Sequence, residues 1–377
     1  MRKITYFTGS RSEYGLMRTL LKKMAAHPDI KLNLIVTGTH LSKKYGYSVN
    51  EIRADGFDIL GEFDILEDFE DELYLVKAFG RCMAGVANAL KKETPDIFLI
   101  QGDRSEALAA TLSAAHLNIP IAHLSGGDLT FGGTIDDRAR PAISDFAHIH
   151  FPSTKRSAEV LVKRGEEKWR VHFFGNPGIN LVNEQYTDSK ELAVKLGIDL
   201  AKDLIVVVQH PVEPHHAEMQ MEETMKAVKE SGLQAVVIYP NPDSGSTAII
   251  DVIKKYEGGN IKAFKTLSRP DFVGLLRVAK ALVGNSSCGI VETPSLNLPS
   301  VNIGERQSGR EQMGNVINAD HDKNKIADAI RKAIKMKADV DMANMPYYAE
   351  GTEEKIINLL LKVELNDRLA KKKWYYD

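Results

Sequence analysis

Cysteine and tryptophan are scarce in this chain, two of each, and aromatic residues make up only 7%. The two cysteines, Cys82 and Cys288, supply neither a disulfide framework nor a zinc pattern, and they fit a reducing compartment. Charge of one sign is missing as well. A net charge of −2 gives no field that would draw nucleic acid or an anionic membrane surface. No apolar run approaches membrane-spanning length, and Met1–Gly9 reads as a first strand, too short and too polar for a secretion signal. These absences lead us to expect a cytoplasmic protein with no nucleic-acid and no membrane partner. The chain also lacks a G-x-x-x-x-G-K-[ST] loop and a well-placed G-x-G-x-x-G after its first strand. ATP hydrolysis and dinucleotide redox chemistry are therefore not expected. His210, His215 and His216 stand close together without carboxylates at ligand spacing, so a solvated loop is the better reading and no metal or cofactor is expected.

What is present is a regular alternation. At 377 residues the chain suits two domains of ordinary size. Apolar runs at Ile4–Thr8, Leu32–Thr37, Ile97–Gln101, Ile119–Leu124 and Ile149–Pro152 read as strands, and a second series follows at Leu204–Gln209, Ala235–Tyr239, Ile261–Phe264, Ala281–Gly284 and Ser300–Ile303. Segments of helical period lie between them, among them Tyr14–Ala26, Val76–Lys91, Glu106–Ala115, Ala217–Lys229 and Pro270–Val278. Strands apolar throughout, each followed by a crossover helix, predict parallel sheets covered on both faces. The expected fold is α/β: two Rossmann-like domains, 1–175 and 176–352, with the active site in the cleft between them. Gly175-Asn176-Pro177-Gly178 is the expected hinge. Glu353–Leu369 reads as one long amphipathic helix, and the segment 353–377 is expected to rejoin the first domain. The tail Lys371-Lys372-Lys373 reads as solvated.

In such sheets ligands bind at the carboxyl ends of strands, and there the unusual polar residues gather. The most informative stretch is Gly284-Asn285-Ser286-Ser287-Cys288-Gly289-Ile290-Val291-Glu292, a strand breaking into small residues before a helix restarts. That pattern leaves backbone N–H groups at the positive end of a helix dipole, a seat for phosphate. Thr8-Gly9-Ser10-Arg11-Ser12-Glu13 opens another helix with a cation at hand, and His40 follows the second strand. Asp103-Arg104, Ser125-Gly126-Gly127-Asp128 and Asp136-Asp137-Arg138-Ala139-Arg140 supply carboxylates; His210 and Asn241 lie at the ends of later strands. Plainer readings compete: Arg11 paired with Glu13 at the surface, His40 as a satisfied strand-end histidine, Asp103-Arg104 as a structural ion pair, Asp136 as a helix cap and Gly126-Gly127 as a tight turn. Phosphate seats in one half and carboxylates in the other suggest a nucleotide-activated substrate. Like charges close together would push carboxyl pKa values apart, so that one serves as base and another as acid.

Taken together, these stretches resemble the UDP-N-acetylglucosamine 2-epimerase family, and its hydrolysing branch of sialic and legionaminic acid biosynthesis in particular. The residues that carry the likeness are Gly9–Tyr14, Thr37–Ser42, Gly102-Asp103-Arg104, Gly132–Asp137, Gln209-His210-Pro211, Tyr239–Asp243, Gly284–Glu292 and Gly304–Arg310. They run in order from residue 4 to about residue 315. The resemblance implies a GT-B-type fold, a UDP-sugar substrate, no cofactor and a homodimer. It also implies a two-step reaction, in which UDP leaves by anti elimination and water adds to the 2-acetamidoglucal to give N-acetylmannosamine. Carried over, Arg11, His210, Asn241, Ser286, Ser287, Glu292 and Arg306 would hold the nucleotide. Asp103, Asp128 and Asp137 become candidates for proton transfer, with His40 and Arg104 on the sugar or the leaving group.

Two departures bear on the sugar end. Several members carry glutamate where this chain has Ser125, so that carboxylate role is vacant or moves to Asp128. Members usually show Arg-His after the paired acids; here Arg140-Pro141 stands instead, without an imidazole or an amide donor. The same elimination on a 2,4-diacetamido-trideoxy sugar nucleotide is the alternative. A GT-B glycosyltransferase and a nucleotide-sugar binding protein without catalysis are rivals of other classes.

Overall fold

The computed structural model describes residues 1–66, 73–179 and 181–373. The chain divides into two compact units: Met1–Leu129 with Ile135–Gly178 and Pro346–Asp377, and Thr130–Thr134 with Ile179–Met345.

In the first unit the elements run β1 (Arg2–Thr8), α1 (Arg11–Ala25), β2 (Ile30–Val36), α2 (Val49–Ala54), β3 (Asp58–Glu62), α3 (Tyr74–Lys92), β4 (Ile97–Gln101), α4 (Ser105–His116), β5 (Ile121–Leu124), α5 (Asp136–Phe146), β6 (Ile149–Phe151) and α6 (Lys155–Lys163). Its six strands pair in the order β3-β2-β1-β4-β5-β6, and every pairing is parallel. The strands alternate between two cores, as a two-residue side-chain period requires. Ile4, Tyr6, Leu34, Ile97 and Leu99 point into one, while Phe7, Ile35, Phe98 and Ile100 point into the other. Burying each such side chain contributes about 1.5–3 kcal/mol.

The second unit contains α7 (Ser189–Leu196), β7 (Leu204–Val208), α8 (Ala217–Glu230), β8 (Gln234–Ile238), α9 (Ser246–Tyr256), β9 (Ile261–Phe264), α10 (Arg269–Val278), β10 (Ala281–Gly284), α11 (Cys288–Val291), β11 (Ser300–Ile303), β12 (Val316–Ala319) and α12 (Lys323–Ala333). Its sheet has the order β12-β11-β10-β7-β8-β9, again parallel throughout. Ile205 and Val207 face one core; Leu204, Val206 and Val208 face the other. Both sheets thus change direction next to their central strands, β1/β4 and β7/β10, where such folds place ligands.

Three expectations need correction. β3 and β12 went unread because each is a short edge strand, and neither carries the continuous apolar run of a central one. The helix expected over Glu353–Leu369 is two: α13 (Thr352–Lys362) and α14 (Asp367–Ala370). The Arg2 guanidinium takes the carbonyls of Leu361 and Val363 at 3.0 and 2.7 Å, and Asn366 starts a new helix by accepting the Leu369 N–H. Residues 374–377 of the expected C-terminal segment lie outside the described residues. Lastly, the helix after Ser286-Ser287 is a single four-residue turn, α11, followed by a 3-10 turn over Thr293–Leu296 that contains Pro294.

Candidate active site

The first βα turn of the first unit is closed by its own side chains. Ser10 caps α1, and Glu13 reaches back so that its Oε2 accepts the N–H groups of Gly9 and Ser10, both at 3.0 Å. The turn read as a phosphate seat is therefore filled by a carboxyl group of the chain itself. Glu13 is buried beside Glu106, and these two effects raise its pKa to about 8 against the pull of Arg104. The Arg104 Nε donates to Glu106 Oε1 at 2.8 Å, so Arg104 pairs with Glu106. Arg11 approaches Glu51 at 3.9 Å.

His40, expected at the sugar, is fully buried. Its Nε2 lies 2.9 Å from Thr8 Oγ1 and its Nδ1 2.9 Å from Ser48 Oγ, while burial pushes its pKa down to about 3. It is a neutral strut between the β1 and β2 turns, with both ring nitrogens engaged inside the protein.

Asp103 and Asp128 are brought together by a residue given no role in the sequence reading. Arg140 on α5 bonds Asp103 Oδ2 through Nη2 and donates through Nη1 to the Asp128 carbonyl at 2.7 Å. Arg140 is 3% exposed, so the clamp is fixed from the interior. Asp136 and Asp137 form the first turn of the same helix, half-buried. Pro141 sits inside α5, where it can donate no bond to the Asp137 carbonyl. Ser125 takes a left-handed φ of 63°. Its hydroxyl accepts from Gln101 Nε2 and from the Ser153 hydroxyl, each at 3.0 Å. The serine thus organises strand ends, and Asp128 is the carboxylate left in that loop.

His123 braces the backbone just before Asp103. Its Nε2 faces the Gly102 carbonyl at 2.8 Å and must carry the proton; its Nδ1 then accepts from Ser144 Oγ at 3.0 Å. Burial lowers its pKa to about 3, so this tautomer is neutral. A Cβ on Gly126 would stand 2.8 Å from Ser144 Oγ and 2.9 Å from His123 Nδ1, which explains a glycine there.

The second unit is organised by Asn285, a buried amide that sequence reading left without a role. Its Oδ1 accepts the His210 N–H at 2.7 Å and its Nδ2 donates to the His210 carbonyl at 2.8 Å. The side chain copies a peptide unit and extends the β7/β10 pairing by one step. His210 Nδ1 accepts the Asn241 N–H at 3.2 Å, and Arg306 and Gln307 donate to the Asn285 carbonyl at 3.2 and 3.0 Å. His210 and Arg306 are thus tied to Asn285, and Asn241 to it through His210. Gly284 has φ +132°, and a Cβ there would lie 2.0 Å from the Val208 carbonyl oxygen. Ser286 and Ser287 follow, half-buried, and the Ser287 side chain makes no capping hydrogen bond. Thr130–Thr134 belong to this unit: the Phe131 N–H donates to the Ser308 carbonyl at 2.9 Å.

Glu292 is held by Arg269, whose Nη1 lies 2.7 Å from Glu292 Oε1 while its other nitrogens grip Glu184 at 2.8 Å. Burial opposes the charge on Arg269, but the two carboxylates more than offset it and raise its pKa. No spacing in the sequence links residues 184, 269 and 292. Burial pushes the thiols of Cys82 and Cys288 up, so neither is a nucleophile. His215 and His216 are exposed, and His216 pairs with Glu213. Among the described residues there is no cluster of three or more acidic, histidine or cysteine side chains that could hold a metal, and no helix is long and apolar enough to cross a membrane.

The profile of the UDP-N-acetylglucosamine 2-epimerase family matches residues 22–361. The chain belongs to that family. It is 36% identical over 377 residues to the UDP-N,N'-diacetylbacillosamine 2-epimerase (hydrolyzing) of Legionella pneumophila, covering 99% of both chains. It is 32% identical over 336 residues to a UDP-N-acetylglucosamine 2-epimerase of Neisseria meningitidis, covering 88% of each. Among solved structures, UDP-GlcNAc 2-epimerase from Neisseria meningitidis bound to UDP-GlcNAc superposes with a TM-score of 0.78 at 18% identity, over 96% of this chain and 100% of that one. The fold of this epimerase is thus the GT-B-like one, with two parallel-sheet Rossmann-like domains.

Proposed function

We infer that this hydrolysing UDP-sugar 2-epimerase acts on a UDP-linked 2,4-diacetamido-trideoxy sugar, the class to which N,N'-diacetylbacillosamine belongs. The observation that carries the choice is the end-to-end likeness to the Legionella pneumophila enzyme, 36% identity over 99% of both chains. UDP-N-acetylglucosamine, with N-acetylmannosamine as product, is the second reading; it draws on the 32% identity to the Neisseria meningitidis enzyme over 88% of each chain.

In this reading Asp103, oriented by Arg140, takes the proton from the carbon bearing the 2-acetamido group. The C1–O bond breaks and UDP leaves with the bonding pair. Water then adds to the glycal, its hydroxyl at C1 and its proton at C2 on the opposite face, which yields the free 2-epimer. Asp128 and Asp137 are the candidates for the second proton transfer. Ser286, Ser287, His210, Asn241 and Arg306 hold the nucleotide, Glu292 accepts ribose hydroxyls, and Arg11 meets the diphosphate. Preorganised donors at the departing diphosphate supply the larger electrostatic share of the rate, and each general acid or base about 10²–10⁴-fold.

Proton NMR in D₂O with each UDP-sugar offered separately tests this. Free 2-epimer deuterated at C-2, together with UDP, is expected from both substrates' chemistry, with the higher kcat/KM on the diacetamido sugar. A higher kcat/KM on UDP-N-acetylglucosamine would install the second reading. UDP release only when an acceptor is added, without exchange at C-2, would make the protein a glycosyltransferase.

A further inference from the structure

The tail that reads as a solvated lysine run is not one. Lys371 keeps 73% of its side chain exposed, but Lys372 keeps only 10%. The Lys372 ammonium donates to the carbonyls of Ser144, Asp145 and Ala147 at 3.0, 2.9 and 2.9 Å, with Glu166 Oε1 as counter-ion at 2.5 Å. These carbonyls close the C-terminal end of α5, where a helix has no donors of its own. An ammonium there adds a donor to under-satisfied carbonyls and complements the negative end of the helix dipole. The tail is itself fastened. Arg170, wholly buried, donates to the carbonyls of Arg368 and Leu369 at 2.7 and 2.9 Å, and the Arg170 and Arg368 guanidiniums both stack on Trp169.

The helix that Lys372 holds is the one that holds Asp103. Ser144 and Arg140 sit one turn apart on α5, and each reaches the Gly102-Asp103 loop by its own route. Arg140 bonds the Asp103 carboxylate directly; Ser144 bonds His123, whose Nε2 holds the Gly102 carbonyl. Pro141 removes a rung from the middle of α5, so the helix depends more on restraints at its ends. We propose that Lys372 is a positioning residue for the Asp103 carboxylate, acting through the C-terminal end of α5 and the Arg140 and Ser144–His123 contacts. Its catalytic consequence rests on the reading of Asp103 as the proton acceptor; the anchoring of α5 does not.

The test uses the full chain with Lys372→Met, Lys372→Arg and Ser144→Ala. Displacing a reacting group by about 1 Å costs on the order of 100-fold. Lys372→Met should therefore lower kcat about 10–100-fold while KM and UDP affinity stay within about twofold. Lys372→Arg, which keeps charge and donors, should remain within about threefold of wild type. Ser144→Ala keeps the Lys372 bond and loses only one of the two routes, so its kcat should fall less. Hydrogen exchange at the α5 amides should quicken in Lys372→Met while the second unit's amides are unchanged. Unaltered α5 exchange overturns the anchor even if the wild type turns over no UDP-sugar, an outcome that by itself sinks only the proton-acceptor reading. Wild-type kcat in Lys372→Met, a loss carried by KM, or an arginine variant as slow as the methionine one would each overturn the positioning role.

Discussion

Two strand-to-helix turns, Thr8–Glu13 and Gly284–Glu292, share glycine, serine and glutamate in the same order and use them oppositely. In the first, Glu13 is the third residue of a long helix, close enough for its carboxylate to fold back onto the Gly9 and Ser10 amides. In the second, Glu292 lies beyond a helix of one turn and is drawn to Arg269 instead, so it cannot fill the turn before it. The Ser10 hydroxyl caps its helix, whereas that of Ser287 makes no capping bond. Glycine and serine after a strand therefore predict a seat for an acceptor without saying whether the chain or a ligand fills it. The distance to the nearest glutamate, measured in helical turns, decides that. In the proposed reading, chemistry falls to the first unit and nucleotide binding, Arg11 apart, to the second.

That division breaks most clearly at Asp103. Asp103→Asn keeps the shape of the side chain and should lower kcat about 10²–10⁴-fold, with UDP affinity by calorimetry within twofold of wild type. Equal losses in both would mean that the two roles are not separable by unit. Asn285→Ala tests the other half. It strips the His210 N–H and carbonyl of their partners at 2.7 and 2.8 Å, and each buried polar group left unsatisfied costs about 1–3 kcal/mol. UDP affinity should fall about 10–100-fold, and a wild-type titration would remove His210 from the nucleotide site. Ser287→Ala loses one hydrogen bond to an anion and should weaken UDP about tenfold. Unchanged affinity would show that the serine hydroxyl points elsewhere.

Much of the scaffold behind these contrasts was readable in advance. β4, β10 and β11 lie where their apolar runs predict, because a central parallel strand buried on both faces has little freedom in composition. The loops bearing Asp103, Asp128 and Ser287 fall at strand ends for the same reason. Harder to read were the partners. Arg140 does stand three residues after Asp137, a helical neighbour of a suspected acid, and that spacing was a usable signal. Nothing comparable joins Lys372 to Ser144, Glu184 to Arg269 or Asn285 to His210, which meet only after the chain has folded. The inward turn of His40 was likewise hidden, since a histidine at a strand end looks the same in sequence whether it faces a substrate or Thr8 and Ser48.

The smallest expected effect is on stability, and it separates the two turns by pH. Glu13 has a pKa raised from 4.5 to about 8 by burial and by Glu106. Between those values the folded state holds a proton that the unfolded state has released. Unfolding then releases a proton, and stability falls as pH rises from about 4.5, levelling above about 8. Glu13→Gln leaves an amide oxygen able to accept the Gly9 and Ser10 N–H groups and has nothing to ionise. Urea unfolding of this variant should show a flatter pH dependence than wild type across that window, with its largest gain over wild type at the alkaline end. A dependence as steep as that of wild type would mean that the Glu13 carboxylate is ionised in the folded protein, and that the first turn binds its own anion as a charge in the way the second is assigned to bind diphosphate.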